Sequence, residues 1–271
     1  MDRIEIQVLR PETINAAEDI MMLAARLTQA GHKVHDMSDL EALLERPYQP
    51  STVTRLASLP HPTLQKFGTI TIAVVGASRR FLAQITRHQN EVKFMSASLQ
   101  YSDYSNDNVN FVVPYPMLER EYEDPELVTD YLRECNRSYR VYSHLIADGC
   151  GHDEAGYLLP QGMRNTLLIC ASPYQWKHMI RQRVCRRNSS ETRYVMLRCW
   201  EELAKIAPEI FGDIEECGAF CQRGRCEEGS MTCGTRLAHD AGPGVILRQD
   251  YPLLYERYDV TALGDTEKIL E

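Results

Sequence analysis

The chain has 271 residues, 44% of them hydrophobic and 25% charged, with a formal net charge of −8 and a pI near 5.6. That length suits one domain over 1–271 with a sizeable core, and the acidic balance argues against a general nucleic-acid surface. No apolar run reaches the length of a membrane span and the N-terminus carries no signal-peptide core, so a cytoplasmic protein that binds neither membrane nor nucleic acid is expected.

Residues 4–9, IEIQVL, read as a first strand closed by Pro11. Thr13 is the expected N-cap of a helix over 14–29, where Ala17, Ile20, Met21, Ala24 and Leu27 recur with a helical period; Gly31 ends it. A shorter helix is expected over 38–46, capped by Ser38 and stopped by Pro47 and Pro50. Residues 51–67 form a connection stiffened by the prolines around His61.

The run TITIAVV at 69–75 is a strand that turns at Gly76. Ser78 then caps a helix reading RRFLAQITRHQ. Phe81, Leu82 and Ile85 share one side of it, and Gln84, Arg87 and His88 another. An amide, a guanidinium and an imidazole grouped in this way suit an anionic or heteroaromatic ligand, and equally a solvated polar face.

Residues 91–101 read as a bulged strand, 102–108 as a loop, 110–114 as a short strand cut by proline, and 119–126 as an acidic surface run. A long amphipathic helix follows over 126–148. Its Tyr131, Tyr139 and Tyr142 combine apolar rings with polar tips, which suits a scaffold or a subunit contact. NTLLICA at 165–171 is a strand, and Ser172 caps the next helix with Pro173 at its first position and Gln175 completing a capping box. Trp176, Met179, Ile180 and Val184 form the apolar stripe of that helix; His178, Arg181 and Gln182 form a polar side. Arg183 lies beside the stripe, where an unpaired charge is costly. Asn188 or Ser189 caps a further helix to about residue 208. The segment RQRVCRR places four arginines in seven residues, as a solvated basic run or a phosphate pocket.

Four of the nine cysteines, Cys217, Cys221, Cys226 and Cys233, fall in a Gly-rich loop over 217–239. Four thiolates suit a structural zinc; the alternative is a reduced loop with buried or free thiols. The tight pairs of a zinc ribbon and the spacings of iron–sulfur proteins are both absent. The tail, VILRQDYPLLYERYDV, is expected to dock as strand and loop without chemistry.

Two stretches carry a resemblance. Arg87-His88-Gln89, followed by Ser98-Leu99-Gln100-Tyr101, resembles the signature of the flavin-dependent thymidylate synthases: Arg-His-Arg, then Ser, any residue, Arg, Tyr. Glutamine stands at two of its arginine positions. Leu159-Pro160, the capped helix, Arg183 and Glu191 resemble the second half of the family pattern, with Ser189 replacing its glutamine, so the resemblance runs over residues 60–210. It implies an α/β fold, a single domain with a mainly antiparallel sheet packed against helices. It implies FAD, reduced by NADPH, and methylation of dUMP to dTMP with methylenetetrahydrofolate as carbon donor. A homotetramer with sites at subunit junctions is implied as well. Carried over residue by residue, the resemblance puts Arg183 at the pyrimidine ring as the catalytic group. His61, Arg87, His88, Ser172, Tyr174 and His178 go to the flavin. Gln84, Ser98, Gln100 and Tyr101 go to the nucleotide, together with Arg186 or Arg187, because Gly156 stands where an arginine usually meets the substrate phosphate. The alternatives are methyl or hydroxymethyl transfer to another pyrimidine nucleotide, and a nonenzymatic nucleotide-binding homologue.

Overall fold

Alternating burial along four strands builds one antiparallel sheet, and the helices between them close over it. The structure, a computed structural model, describes residues 4–106 and 109–256. Strand β1 (Glu5–Leu9) leads into helix α1 (Glu12–Ala30), which turns Ile14, Ala17, Met21 and Met22 inward. Pro11 takes the N-cap position expected of Thr13; its φ of −56° is already helical, and no side-chain cap forms. Helix α2 (Met37–Leu44) is capped by Asp36 and not by Ser38. The Asp36 carboxylate accepts both the Asp39 N–H (3.0 Å) and the Ser38 hydroxyl (2.7 Å), being the stronger acceptor. The expected connection over 51–67 is largely helical. It holds α3 (Pro50–Ala57) and a 3₁₀ turn at Pro62–Lys66, because a proline that stops one helix also fits the first turn of the next.

Strand β2 (Ile70–Ser78) is longer than expected. Gly76 sits within it at φ +85°, and the register slips between Val75 and Ala77, so the residue forms a bulge where a turn was expected. Ser78 ends the strand and caps α4 (Arg79–Ile85), accepting the Phe81 N–H at 3.1 Å. This helix stops at Thr86, so Arg87 and His88 lie in the turn beyond it and not on its face. Strand β3 (Val92–Ser96) is short. Past it, Ser98 Oγ accepts the N–H groups of Gln100 and Tyr101 and bends the chain away from the sheet. The strand expected at 110–114 reduces to one bridge between Phe111 and Met163, and Pro114 leads into α5 (Tyr115–Arg120).

Helix α6 (Glu126–Ala147) is the expected scaffold. The Tyr131 hydroxyl donates to the Val112 carbonyl (2.9 Å) and the Tyr139 hydroxyl to that of Tyr104 (2.8 Å), while Tyr142 accepts the Tyr104 N–H (3.2 Å). Short α7 (His152–Gly156) follows. Strand β4 (Arg164–Ala171) then inserts between β2 and β3, giving the antiparallel order β1-β2-β4-β3. Ile70, Ile72 and Val74 of β2 and Leu167, Ile169 and Ala171 of β4 are all buried. They share one core with α8 (Pro173–Arg183) and α9 (Ser190–Ile206). Ser172 caps α8 by accepting the Gln175 N–H, and the Trp176 indole N–H donates to the Ile70 carbonyl at 3.0 Å.

The C-terminal part is helical: α10 (Pro208–Phe211), α11 (Ile214–Cys217), α12 (Phe220–Arg223), α13 (Pro243–Asp250) and α14 (Pro252–Glu256). The tail expected as strand and loop is therefore two helices, each opened by a proline; its last residues, 257–260, lie outside the described residues. Among the described residues no helix is long and apolar enough to cross a membrane.

Helix α9 is pinned to the β2–α4 corner by one carboxylate. Buried Glu191 accepts the Ser78 backbone N–H at 2.6 Å and the Ser78 hydroxyl on its other oxygen. Glu191→Ala leaves both donors buried without a partner and should cost about 2–4 kcal/mol in denaturant melts. Glu191→Gln keeps one acceptor oxygen and should recover about half of that. An alanine variant as stable as the native chain would show that the corner is held elsewhere.

Candidate functional site

Arg183 ends α8, whose Trp176, Met179 and Ile180 are fully buried, so the guanidinium is held at the edge of the core. Its Nε donates to His88 Nε2 (2.9 Å), its Nη2 to the Gln84 carbonyl (3.0 Å) and its Nη1 to Asn188 Oδ1 (3.2 Å). All three acceptors are neutral. An ion pair with Glu191 does not form, because Glu191 is committed to Ser78. Burial, and then the neighbouring Arg87, lower the pKa of Arg183 below its ordinary value. It remains a cation in a place where its charge is poorly screened.

His88 is only 8% exposed. Accepting at Nε2 requires that nitrogen to be unprotonated, so the ring proton lies on Nδ1. Burial first, then the charges of Arg183 and His178, push its pKa down to about 4. The His178 ring meets it edge-on at 5.9 Å between centroids. The side-chain oxygen of Gln84 bonds the hydroxyls of Ser189 (2.9 Å) and Thr192 (2.6 Å), which fastens α4 to the start of α9.

Beside this cluster opens a cleft of about 790 Å³. Arg87, His88, Arg183, Arg186 and Arg187 line one wall, and residues 220–237 supply the other. Arg87 and Arg187 are exposed and have no acidic partner among the described residues. Arg186 differs: it forks onto Asp250 at 3.1 and 2.8 Å. Burial favours the neutral acid, but the hydrogen bond from Arg186 and the charge of Arg193 hold Asp250 below the usual carboxylate range. Arg186 therefore does not offer a free charge for a phosphate. Asp250 lies in the tail that was expected to carry no chemistry, and nothing local in its sequence points to Arg186.

The other expected flavin residues gather on the far side of His178. Ser172 Oγ lies 3.2 Å from a Glu91 carboxylate oxygen; Glu91 also pairs with Lys66 at 2.8 Å, whose ammonium sits over the Tyr174 ring. Tyr174, Lys177, His178 and Arg181 border a smaller pocket of about 150 Å³. Gln65 also lines it, and its buried Oε1 has no hydrogen-bond partner among the described residues. His88, on the larger cleft, and His178, on the smaller pocket, are the two rings in contact. His61 is exposed next to the smaller one and does not line it. Ser98, Gln100 and Tyr101 stand apart on their own turn, with Tyr101 83% exposed and Leu99 close to Gly156. They line neither pocket.

A family model described as thymidylate synthase complementing protein matches residues 11–209. The chain is a divergent member of the flavin-dependent thymidylate synthase family. The flavin-dependent thymidylate synthase of Geobacter sulfurreducens is 26% identical over 223 residues, 80% of this chain and 89% of that enzyme. That of Nitratidesulfovibrio vulgaris is 26% identical over 243 residues, 86% of this chain and 94% of its own. The crystal structure of a UMP/dUMP methylase from Streptomyces cacaoi bound with 5-Br dUMP superposes with a TM-score of 0.60 at 17% identity, covering 79% of this chain and 96% of that one. That similarity bears out the expected fold.

The matched family region ends at residue 209, so the opposite wall of the cleft, residues 220–237, lies beyond it. There the zinc expectation finds no support. Among the described residues no three His, Cys, Asp or Glu side chains are arranged to hold a metal. Cys217 closes α11 with its side chain in the core, where burial pushes its pKa up to about 12, while Cys221, Cys226 and Cys233 line the cleft.

The His88 shift has a definite sign. Its folded pKa, about 4, lies below the ordinary 6.5, so the stability it contributes is complete above pH 6.5 and is lost as the pH falls towards 4. Denaturant melts should show about 2 kcal/mol of stability lost across that window through this residue. His88→Gln should flatten that part of the profile; an unchanged profile would mean that the native ring takes up its proton freely.

Proposed function

We propose that the protein methylates carbon 5 of a uridine nucleotide in a flavin-dependent reaction, converting dUMP to dTMP with methylenetetrahydrofolate as carbon donor and NADPH as reductant. The observation that carries this reading is Arg183. It is a half-buried guanidinium, oriented by three neutral acceptors and without a carboxylate partner among the described residues, beside a cleft lined by further arginines. A cation held in this way suits the oxygen of a pyrimidine ring. Negative charge collects there as carbon 5 becomes nucleophilic, and the interaction tightens in the transition state. Neutral His88 serves this task better than a charged ring, because an imidazolium would repel Arg183 and could not accept its N–H. The thymidylate synthases among its relatives support the reaction, and the structural neighbour, a UMP/dUMP methylase, supports the substrate class.

FAD fits the residues present. Arg87, with no acidic partner among the described residues, offers a guanidinium to a pyrophosphate, His88 carries its ring proton on Nδ1, and His178 and Tyr174 offer rings. The unpartnered Gln65 Oε1 can accept from a donor in the same smaller pocket. Bound flavin supplies the hydride that completes the methyl group. Arg187 is the residue best placed to take the substrate phosphate, since Arg186 is neutralised by Asp250 and position 156 is glycine. Ser98, Gln100 and Tyr101 project from an exposed turn apart from the cleft; a homotetramer in which that turn completes a neighbour's cleft accounts for their separation.

The test is turnover with a panel of uridine nucleotides, UMP and dUMP first, on protein loaded with FAD. Arg183→Ala and Arg183→Lys should keep melting temperature and FAD content while catalytic efficiency falls about a hundredfold or more. Lysine should rescue poorly, because it lacks the planar fork that reaches His88, Gln84 and Asn188 together. Normal turnover in either variant, or joint loss of fold and flavin, would remove Arg183 from the chemistry. Protein that stays colourless and takes up no FAD would favour a nonenzymatic nucleotide-binding role.

A further inference from the structure

None of the nine cysteines is in a disulfide, and four of them line the cleft. Cys185 comes from the turn between α8 and α9, within the family-matched region; Cys221, Cys226 and Cys233 come from the segment beyond it. Cys135, Cys199 and Cys217 are buried, and two cysteines, Cys150 and Cys233, are exposed. Those two differ in their surroundings. Cys150 follows Asp148 past the end of α6 and lines neither arginine-bearing pocket. Cys233 shares its cleft with Arg87, Arg186, Arg187 and Arg236. Its Sγ donates to the Thr235 carbonyl at 3.1 Å and accepts the Thr235 hydroxyl at 3.6 Å, which fixes the sulfur at the surface. Arg236 Nε donates to the Cys221 carbonyl at 2.6 Å, fastening the two cysteine-bearing segments together. Cys221 and Cys233 both lie within electrostatic reach of Cys185 and of Arg186.

We propose that Cys233 is a thiol-exchange site for anionic low-molecular-weight disulfides, resolved by a second thiol of the same cleft, Cys221 or Cys185. The Cys233 thiolate attacks one sulfur of the disulfide. The incoming S–S bond breaks, a protein mixed disulfide forms and one small thiolate leaves. Cys221 or Cys185, as its thiolate, then attacks the Cys233 sulfur and expels the second small thiol. The protein loses two electrons and two protons, and the small disulfide gains them as two thiols. Exposure and the Thr235 hydroxyl that donates to the sulfur favour the attacking thiolate, and Arg186 adds to this. The five arginines of the cleft, against Glu227 and Glu228, favour an anionic partner over a neutral one. The pair so formed ties down the segment that walls the cleft. The site stands independently of the methyl-transfer reading, because its readout is sulfur chemistry alone.

The experiment incubates the reduced full-length protein with oxidised glutathione and follows intact mass and peptide maps. The native chain should show a transient glutathionyl adduct on Cys233. It should then lose two hydrogens, with Cys233 linked to Cys221 or Cys185, and dithiothreitol should reverse both steps. Cys233→Ser should slow the first exchange by about tenfold or more. The double variant Cys185→Ser, Cys221→Ser should stop at the adduct. Added salt should slow glutathione disulfide more than the neutral disulfide of mercaptoethanol. Circular dichroism and melting curves confirm that each variant is folded. The proposal is overturned if Cys233→Ser reacts at the native rate, if Cys150 takes the first adduct, or if the native adduct persists without an internal disulfide.

Discussion

The carboxylate of Glu191 on Ser78 is the constraint on which the rest of the site depends. Ser78 closes β2 and caps α4, while Glu191 belongs to the first turn of α9. Their two hydrogen bonds fix the corner of the sheet against a helix that is buried along most of its length. That fixes α4 as well, and with it the Gln84 carbonyl that receives Arg183 and the Gln84 amide that binds Thr192. A guanidinium needs several acceptors held at once if its plane is to be oriented. Here those acceptors come from α4, from the turn beyond it and from the turn before α9, so Arg183 is oriented only when all three are in place.

The electrostatics sort the arginines by whether an acid reaches them. Arg186 and Arg193 share Asp250 and hold the C-terminal helices against the body of the protein. The Tyr251 hydroxyl adds a bond to the Ser190 carbonyl at the start of α9. Among the described residues no acid pairs with Arg87, Arg183 or Arg187. A chain of net charge −8 thus keeps a locally basic cleft, and the sign of the whole says little about the sign of the site.

Much of this was legible where local chemistry decides the outcome. Ser78 and Ser172 announce their helices because a hydroxyl before an apolar-periodic run has few better uses. The runs of β2 and β4 stand out because both strands are interior. Arg183 stands out because a charge beside an apolar stripe demands an explanation. What escaped the sequence depends on tertiary neighbours or on competition between two local signals. Asp36 outcompetes Ser38 for one cap, and Pro50 begins a helix as readily as it ends one. Asp250 meets Arg186 only after the chain has folded back. Cys217 and Cys221 are close in sequence, yet the turn of α11 sends the first into the core and leaves the second on the cleft. Count and spacing of thiols could not reveal that difference.

The bulge at Gly76 shows how such a strand can serve two masters. Up to Val74 the strand alternates in step with the core, and Ile70, Ile72 and Val74 all point inward. The extra residue shifts the pairing by one, so Ala77 rejoins the core face opposite Asn165 and Ser78 falls opposite Arg164. The left-handed φ of Gly76 permits this slip without strain, which a side chain there would introduce. The strand is therefore a carrier with a built-in phase change. Its first part answers only to hydrophobic packing, its last two residues answer to the corner that orients the arginine, and the glycine between them keeps the two demands from having to agree.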